Sequence, residues 1–487
     1  MSNASGAKDA GDRQVGLIDT TLRDGQQSLW ATRMTTAMML PILPTIDAVG
    51  YKAVETFSTV HFDVAVRYLK ENPWERMRLL RAGLKRSKMR MLGMSQFFSI
   101  SRVLPDDVVE LFTKVCARNG IDEFWITASM NDTRTAETSL RTIKSLGLWA
   151  DGGIQFSVSP VHTDEFFVRV CREFVAMGVD GIVLKDAAGL LTPDRAKTLV
   201  PALVQAAEGR PVICHSHCVT GMGPAANLEA VKGGVSAIWT ATAPLANGSS
   251  LPSGDAMARH LDWLGFDPPV DREAMARVAD YFREVAARYD KPTGHPAEYD
   301  PAYYEHQMPG GMITNFEAQL AQLGLQDRLE DVLAEIPQVR QDLGWPNMQT
   351  PYSQFVATQA LLNVLHGRYE VVPDEVRNLC LGFWGRTPGP VDPDVLDRVA
   401  KGATPITERP GAAVPPALER MRAEHGPFDS DEDLLLAMFF MPAILDDLKA
   451  AGPIQLADPL RPTSVVDLVR QAAADPRIRS FSLTSAP

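Results

Sequence analysis

Apolar runs of strand length alternate with longer amphipathic segments through the first half of the chain. Eight such runs are bounded by turn-forming residues, and each precedes a segment with the apolar spacing of a helix. Their starts are 26 to 38 residues apart, the length of one strand, one helix and a return loop. The predicted strands are residues 15–22, 53–59, 90–96, 123–129, 153–159, 181–187, 211–218 and 237–243.

Strands that are buried on both faces should be apolar almost throughout, and two of these runs are good examples. Residues 181–187 (GIVLKDA) and 237–243 (AIWTATA) are apolar apart from their ends. Thr192 and Pro193 are residue types that begin a helix, and Gly209 ends that segment. Eight strand–helix units in succession predict an α/β fold, a closed (β/α)8 TIM barrel.

The strand pattern ceases after about residue 250, where helical and proline-rich segments follow. We predict a disordered N-terminus at 1–13, the barrel domain at 14–300 and a mainly helical C-terminal domain at 301–450. Residues 451–487 match no pattern and stay unassigned. The predicted helices are 255–290, 312–344, 351–366, 372–382 and 433–449, and residues 387–416 are predicted to be irregular.

Composition and charge narrow the class of protein. The 487 residues are 45% hydrophobic and 22% charged, as in ordinary globular proteins, and the net charge of −12 argues against nucleic acid as a partner. The apolar stretches are shorter than the roughly 20 residues that a membrane span needs. Because the N-terminus lacks a secretory core and the five cysteines form no CxxC pair, we expect a cytoplasmic protein with reduced thiols.

Polar residues stand at the carboxyl ends of several predicted strands, where TIM barrels carry their catalytic groups. His215 and His217 are two positions apart on one strand, so both imidazoles point to the same side and can bind one ion. Two histidines that merely fill a barrel core are the plainer alternative. A carboxylate such as Asp24 suits Zn²⁺, Mn²⁺ or Co²⁺. The residues expected to converge on the mouth are Asp19, Arg23, Asp24, Lys185, Asp186, His215 and His217.

Lys185 ends an apolar strand, where an unpaired ammonium group is costly. Desolvation lowers the pKa of a lysine and makes its amine reactive toward CO2, so a carbamate that ligates the metal is one interpretation. A salt bridge to Asp186 or Asp19 is the alternative that composition alone favours.

Seven segments, in order along the chain, resemble one enzyme family over about residues 15–450. They are DTTLRDGQQSLWATRM, FDVAVRYLKENPWERMRLLR, LKDAAGLLTPDRAKTLVPAL, HSHC, APLANGSSLPS, YEHQMPGGMITNFEAQLAQLGL and TPYSQFVATQALLNVL. The chain resembles the biotin-dependent carboxyltransferases, which include the carboxyltransferase domain of pyruvate carboxylase, the α subunit of oxaloacetate decarboxylase and the large carboxyltransferase subunit of transcarboxylase. Seven ordered motifs are far more specific than any one of them.

The resemblance implies CO2 transfer between carboxybiotin and an enolate. Arg23 and Gln27 match residues that hold a keto acid, Thr350 matches the threonine that moves a proton between substrate and biotin, and Asp63 matches a residue near the biotin ring. The positions that match the family's divalent-metal ligands are Asp24, Lys185 as N6-carboxylysine, His215 and His217.

The chain departs from the family around the substrate. Met94 stands in place of the arginine that binds the substrate carboxylate, Phe97 in place of an asparagine, and Trp125 in place of another arginine. Ser101 replaces a tyrosine on the biotin side. Because charged groups have become apolar, we expect Met94, Phe97 and Trp125 to bind a larger or less charged ketone or acyl substrate. Drift within a pyruvate enzyme is the alternative.

The expected partners follow from what these motifs omit. No Met-Lys-Met biotinylation site and no ATP-grasp loop occur, so we expect carboxybiotin on a separate biotin carrier protein, with a biotin carboxylase or a second carboxyltransferase subunit. The helical C-terminal part resembles the family's funnel domain, and a homodimer is common in the family. Two alternatives stay open: a biotin-independent metal-dependent decarboxylase or C–C lyase, favoured by Ser101, and a non-catalytic scaffold, disfavoured by the intact ligand set.

Overall fold

The computed structural model describes residues 14–98, 102–308, 320–321, 324–457, 459–460, 469 and 480. Ten strands lie within these ranges. They are β1 (Gly16–Asp19), β2 (Ala53–Ser58), β3 (Met89–Leu92), β4 (Phe97–Phe98), β5 (Arg102–Val103), β6 (Glu123–Thr127), β7 (Trp149–Gln155), β8 (Gly181–Asp186), β9 (Val212–Ser216) and β10 (Ala237–Thr240).

Eight of these strands close a parallel barrel in the order β1-β2-β3-β6-β7-β8-β9-β10, and β10 pairs back to β1 from Gly16 with Ala237 onward. The predicted TIM barrel is therefore confirmed. The small antiparallel hairpin β4–β5 was not predicted. The predicted start of the fifth barrel strand, residue 153, was four positions late, because the true start at Trp149 includes Asp151, whose buried carboxylate pairs with Arg90.

Side chains alternate between the barrel interior and the layer beneath the helices. Leu17 and Leu184 pack in the large core cluster that includes the helices, whereas Ile18, Val183 and Ile213 pack together inside the barrel. On each strand, every second residue therefore points into the barrel. This alternation decides which polar residues meet at the mouth.

Helices cover the outside of the barrel. Thr192 caps one of them as predicted, since its side chain accepts a hydrogen bond from the Arg195 amide at 3.1 Å. The predicted helix 255–290 is two helices, broken between residues 263 and 272. The barrel helices of six or more residues are Leu43–Ala48, Thr59–Val64, Pro73–Gly83, Asp106–Arg118, Glu137–Ser145, Asp164–Ala176, Pro193–Ala206, Gly223–Lys232, Gly254–Trp263 and Arg272–Arg288.

The described part of the chain beyond residue 300 is helical and contains no further strand. The prediction of irregular structure at 387–416 was wrong in part, because Asp392 caps a helix that begins at Pro393. The predicted helix 433–449 is two helices that meet before Pro442, and residues 312–319 of another lie outside the described residues. The helices are Tyr303–His306, Leu329–Asp342, Tyr352–His366, Asp374–Cys380, Pro393–Ala400, Leu418–His425, Asp431–Phe439 and Pro442–Ala451.

Hydrogen bonds fasten these helices onto the carboxyl ends of β6 and β7. Tyr352 bonds to the Ser129 hydroxyl after β6, and the Asn347 amide donates to Gln155 Oε1 at 2.9 Å at the end of β7. Thr350 lies between these two anchors in sequence. The helical part is therefore seated against the barrel mouth.

None of the helices in the described ranges is both long enough and apolar enough to cross a membrane. All five cysteines are buried and free.

Candidate active site

Three buried side chains at the mouth present their ligand atoms to one point. Asp24 Oδ2 lies 3.1 Å from His215 Nε2 and 3.3 Å from His217 Nε2, and the two Nε2 atoms are 3.2 Å apart. Ligands held about 2.1 Å from a common ion lie about 3.0 to 3.4 Å apart in octahedral or tetrahedral geometry. The triangle therefore has the dimensions of one face of a metal coordination shell.

The protonation of the two imidazoles suits metal binding. His217 Nδ1 lies 2.8 Å from the Ser249 carbonyl oxygen, which only accepts, so Nδ1 carries the hydrogen and the Nε2 lone pair faces the triangle. Burial lowers the pKa of His215 to about 3, so its ring is neutral at physiological pH. Two imidazole nitrogens and one carboxylate oxygen are a fitting donor set for a divalent transition metal.

Asp24 is held ionised by its surroundings. It lies in a π-helical turn, Thr21–Gly25, whose Asp24 amide donates to Thr20 Oγ1 at 3.1 Å. Burial alone would raise the pKa of Asp24, but the charge of Arg23, whose Nη1 lies 2.6 Å away, holds it well below its usual range. A hard anionic oxygen is thus ready at the triangle.

Glu55 organises the floor of the site, and the sequence motifs did not point to it. Its carboxylate lies 3.1 Å from Arg23 Nε and accepts the indole N–H groups of Trp125 at 2.6 Å and Trp239 at 3.2 Å. The sequence signal was a charged residue at an inward position of the otherwise apolar strand β2. Among the described residues, Arg23 Nη2 has no hydrogen-bond partner, so this guanidinium keeps donors for a substrate oxygen.

Lys185 and Asp186 face opposite sides of β8. The Lys185 ammonium lies 5.4 Å from the centre of the Trp125 ring, and no ion pair of Lys185 is found in the described part of the chain. Asp186 instead accepts the amides of Leu190 and Leu191 at 2.9 and 2.8 Å. The alternative salt bridge to Asp186 or Asp19 is therefore absent from these residues. Burial together with the charge of Arg23 lowers the pKa of Lys185 to about 8.

The expectation that Asp19 and Asp186 join the mouth was wrong. Alternation along β1 places Asp19 on the side of Leu17, and its carboxylate accepts the Thr21 hydroxyl at 2.6 Å. Asp186 likewise lies on the outward side of its strand and accepts the Ser216 hydroxyl at 2.8 Å. Both carboxylates stabilise loops beside the site.

The residues predicted to bind substrate lie in different surroundings. Trp125 is fully buried in the floor, 5.5 Å from the His215 ring. Met94 is buried in the core cluster that contains the outer helices, and its carbonyl oxygen accepts the Ser139 hydroxyl. Phe97 stacks on Trp384 with ring centres 4.9 Å apart. Their contact with substrate stays a prediction.

The residues predicted to bind substrate or biotin beyond this floor stay predictions as well. Gln27 is partly buried, and its Oε1 has no hydrogen-bond partner within the described ranges. Asp63 pairs with Arg67 at 2.7 Å, and Thr350 is exposed two residues before Tyr352. Ser101 lies outside the described residues.

Two family models match the chain. The model described as "Conserved carboxylase domain" matches residues 303–460, and the model described as "HMGL-like" matches residues 109–281. Together they cover much of the barrel and the helical part.

Curated relatives match over most of their lengths. A pyruvate carboxylase subunit of Methanocaldococcus jannaschii is 39% identical over 86% of this chain and 75% of its own. The methylmalonyl-CoA carboxyltransferase 5S subunit of Propionibacterium freudenreichii subsp. shermanii is 34% identical over 91% and 90%. The large subunit of 2-oxoglutarate carboxylase of Hydrogenobacter thermophilus is 34% identical over 88% and 67%.

Solved structures agree in fold along nearly the whole chain. The carboxyl transferase domain of Rhizobium etli pyruvate carboxylase with pyruvate superposes with a TM-score of 0.83, at 27% identity over 95% of this chain and 84% of that one. The same domain with oxamate and biotin gives a TM-score of 0.84, at 28% identity over 93% and 80%.

Proposed function

Because the chain belongs to the biotin-dependent carboxyltransferase family, we propose that it moves CO2 between carboxybiotin and the enolate of a ketone or acyl substrate at the Asp24 centre. The chain is a carboxyltransferase enzyme, and the mechanism, metal and substrate belong to the proposal. The observation that carries it is the triangle of Asp24, His215 and His217, whose dimensions and protonation suit one divalent ion.

The proposed metal is Zn²⁺, Mn²⁺ or Co²⁺, held by the triangle and by Lys185 as N6-carboxylysine. Once bound, such an ion polarises a substrate carbonyl and stabilises the negative charge of an enolate. Arg23 donates from Nη2 to a substrate oxygen while Glu55 holds its Nε. Trp125 and Trp239 exclude water from beneath the reacting carbon. The Thr350 hydroxyl moves a proton between that carbon and biotin N1.

Biotin dependence separates this function from a biotin-independent lyase. Metal-loaded protein should remove the carboxyl group of a β-keto acid or β-carboxyl acyl substrate only when free biotin is added, because biotin accepts that group as carboxybiotin, which then loses CO2 to the solution. Radiolabelled CO2 release from a panel of such acids measures this. Equal release with and without biotin would contradict the proposal and support the lyase.

The substrate is proposed to be larger or less charged than pyruvate. The names of the relatives mention pyruvate, methylmalonyl-CoA and 2-oxoglutarate, so membership of the family leaves the acceptor open. Trp125, an apolar side chain in the floor of the site 5.5 Å from the His215 ring, supports a site with fewer charged contacts. Contact of Met94 and Phe97 with substrate is part of the proposal.

Pyruvate chemistry should therefore be slow. Each lost charge-assisted contact to a carboxylate costs roughly 1.5 to 3 kcal/mol, so we expect pyruvate methyl-proton exchange and oxaloacetate decarboxylation about 10- to 100-fold below those of a pyruvate-directed relative. Proton NMR in D2O with free biotin measures the exchange. A pyruvate carboxylase domain assayed in parallel is the control, and equal rates in the two proteins would sink the changed-substrate proposal.

Carbamylation of Lys185 should increase with pH. Because the pKa of Lys185 is lowered to about 8, roughly one-tenth of the amine is neutral at pH 7 and most of it is neutral at pH 9. Only the neutral amine attacks CO2. A carbamate signal in ¹³C NMR of protein in labelled bicarbonate should grow across this range and be missing from Lys185→Met. A signal of equal size in that variant would contradict the assignment.

Carboxybiotin is proposed to arrive on a biotin carrier protein that lies outside these 487 residues. The relatives named above include subunits of multi-subunit carboxylases, which supports an assembly of this kind. A biotin carboxylase or a second carboxyltransferase subunit would then charge the carrier. A homodimer is part of the same proposal.

A further inference from the structure

His61 lies directly behind the turn that carries Arg23 and Asp24. It belongs to the helix Thr59–Val64, which follows β2, and its side chain is fully buried. No motif in the sequence pointed to it. Its Nε2 lies 2.9 Å from the backbone oxygen of Arg23, and its Nδ1 lies 2.9 Å from Oγ of Ser58.

The two contacts define how the ring is protonated. The Arg23 carbonyl only accepts, so Nε2 of His61 donates to it, and Nδ1 accepts from the Ser58 hydroxyl. Burial and the charges of Arg23 and Arg76 lower the pKa of His61 to about 3, which keeps the ring neutral. Both ring nitrogens are therefore hydrogen-bonded, and the ring bridges Ser58 and the Arg23 backbone in a fixed orientation.

The braced turn has an uncommon backbone. Thr21–Gly25 is one π-helical turn, a geometry that occurs mostly at functional sites. Glu55 on β2 holds the side chain of Arg23 at 3.1 Å, and His61 on the following helix holds its backbone oxygen. Residues of β2 and the helix that follows it thus contact Arg23 at both its side chain and its backbone oxygen, one residue before Asp24.

We propose that His61 is a positioning residue, which fixes the Arg23 carbonyl so that the Asp24 carboxylate faces the metal position and the Arg23 guanidinium faces the substrate beside it. This inference rests on the proposed metal centre, but it concerns a residue that does not itself touch the ion. In this proposal His61 holds the turn Thr21–Gly25 in place, and Asp24 within that turn binds the ion.

Two substitutions of His61 distinguish a brace from a space-filling core residue. His61→Leu keeps apolar volume and removes the donor, whereas the terminal amide of His61→Gln donates from a position near that of Nε2. We expect His61→Leu to weaken Co²⁺ affinity and lower kcat by about 10- to 100-fold, as loss of groups that orient metal ligands does, and His61→Gln to restore most of both. Titration of the Co²⁺ absorption bands measures affinity without any assay of turnover.

His162 provides a matched control. It is also buried three residues after a serine, with Ser159 Oγ 2.6 Å from its Nδ1, but its Nε2 contacts Asn347 Oδ1 at 3.1 Å instead of the metal-bearing turn. His162→Leu should therefore leave Co²⁺ affinity unchanged even if it lowers Tm as much as His61→Leu does.

The outcomes separate this inference from the proposed function. Wild-type Co²⁺ affinity in His61→Leu, or a loss that His61→Gln does not restore and His162→Leu shares, would overturn the positioning role. Protein that binds Co²⁺ tightly but transfers no CO2 to biotin with any substrate would instead overturn the proposed function. Wild-type protein that binds no divalent ion overturns both.

Discussion

Replacement of His215 by Gln should remove the divalent ion and lower carboxyl transfer by about 1,000-fold or more. His215 contributes one corner of a triangle whose other corners lie 3.1 and 3.2 Å away, so its loss leaves two of the three described ligand atoms. Metal stabilisation of developing charge is worth several kcal/mol, and each 1.4 kcal/mol is about tenfold in rate. Metal content by plasma emission spectroscopy and biotin-dependent CO2 release measure the two effects.

A second ligand variant and a control variant distinguish loss of the ion from unfolding of the protein. Asp24→Asn keeps the volume of the side chain and removes its charge, so it should lose metal as well, although it leaves Arg23 with one carboxylate partner, Glu55. Ser216→Ala is the matched control, because Ser216 lies between the two histidines but bonds outward to Asp186 at 2.8 Å. If Ser216→Ala lost metal as fully as His215→Gln, the metal centre would no longer explain either result.

The barrel and the histidine pair were predictable because they depend on patterns local in sequence. A run such as residues 181–187 is apolar enough to be identified as a buried strand, and the two-residue period alone places His215 and His217 on one side. The same reasoning was wrong for Asp19 and Asp186. Near the end of a strand, the sequence alone does not show whether a side chain points into the barrel or toward the helices until the register with the neighbouring strands is known. The register places both carboxylates outside the barrel.

The floor of the site was beyond sequence reasoning for a different reason. Glu55 contacts Trp125, which is 70 positions later in the sequence, and Trp239, which is 184 positions later. No sequence-spacing rule connects residues so far apart. His61 reaches back to Arg23 across 38 positions. Such contacts arise only when the sheet closes, and they determine how the ligand-bearing turn is held. The resemblance to known carboxyltransferases pointed to the proposed metal ligands but not to Glu55 or His61.

Removal of the Thr350 hydroxyl should abolish most transfer to biotin while leaving the metal in place. Thr350→Val keeps the shape of the side chain and removes the group proposed to carry the proton, so we expect biotin-dependent CO2 transfer to fall about 100- to 10,000-fold, the range of general acid–base catalysis. Thr350→Ser keeps the hydroxyl and should retain much of the rate.

The Tm and the metal content of the Thr350 variants are the controls for the loss of transfer. Thr350 is exposed, and the nearby Asn347 and Tyr352 anchor this segment to the barrel, so neither Thr350 variant should change Tm or metal content appreciably. A fall in transfer at constant metal content would then assign the loss to proton movement. Wild-type transfer by Thr350→Val would instead exclude Thr350 as the proton carrier, and the metal centre would have to operate with another acid on the biotin side.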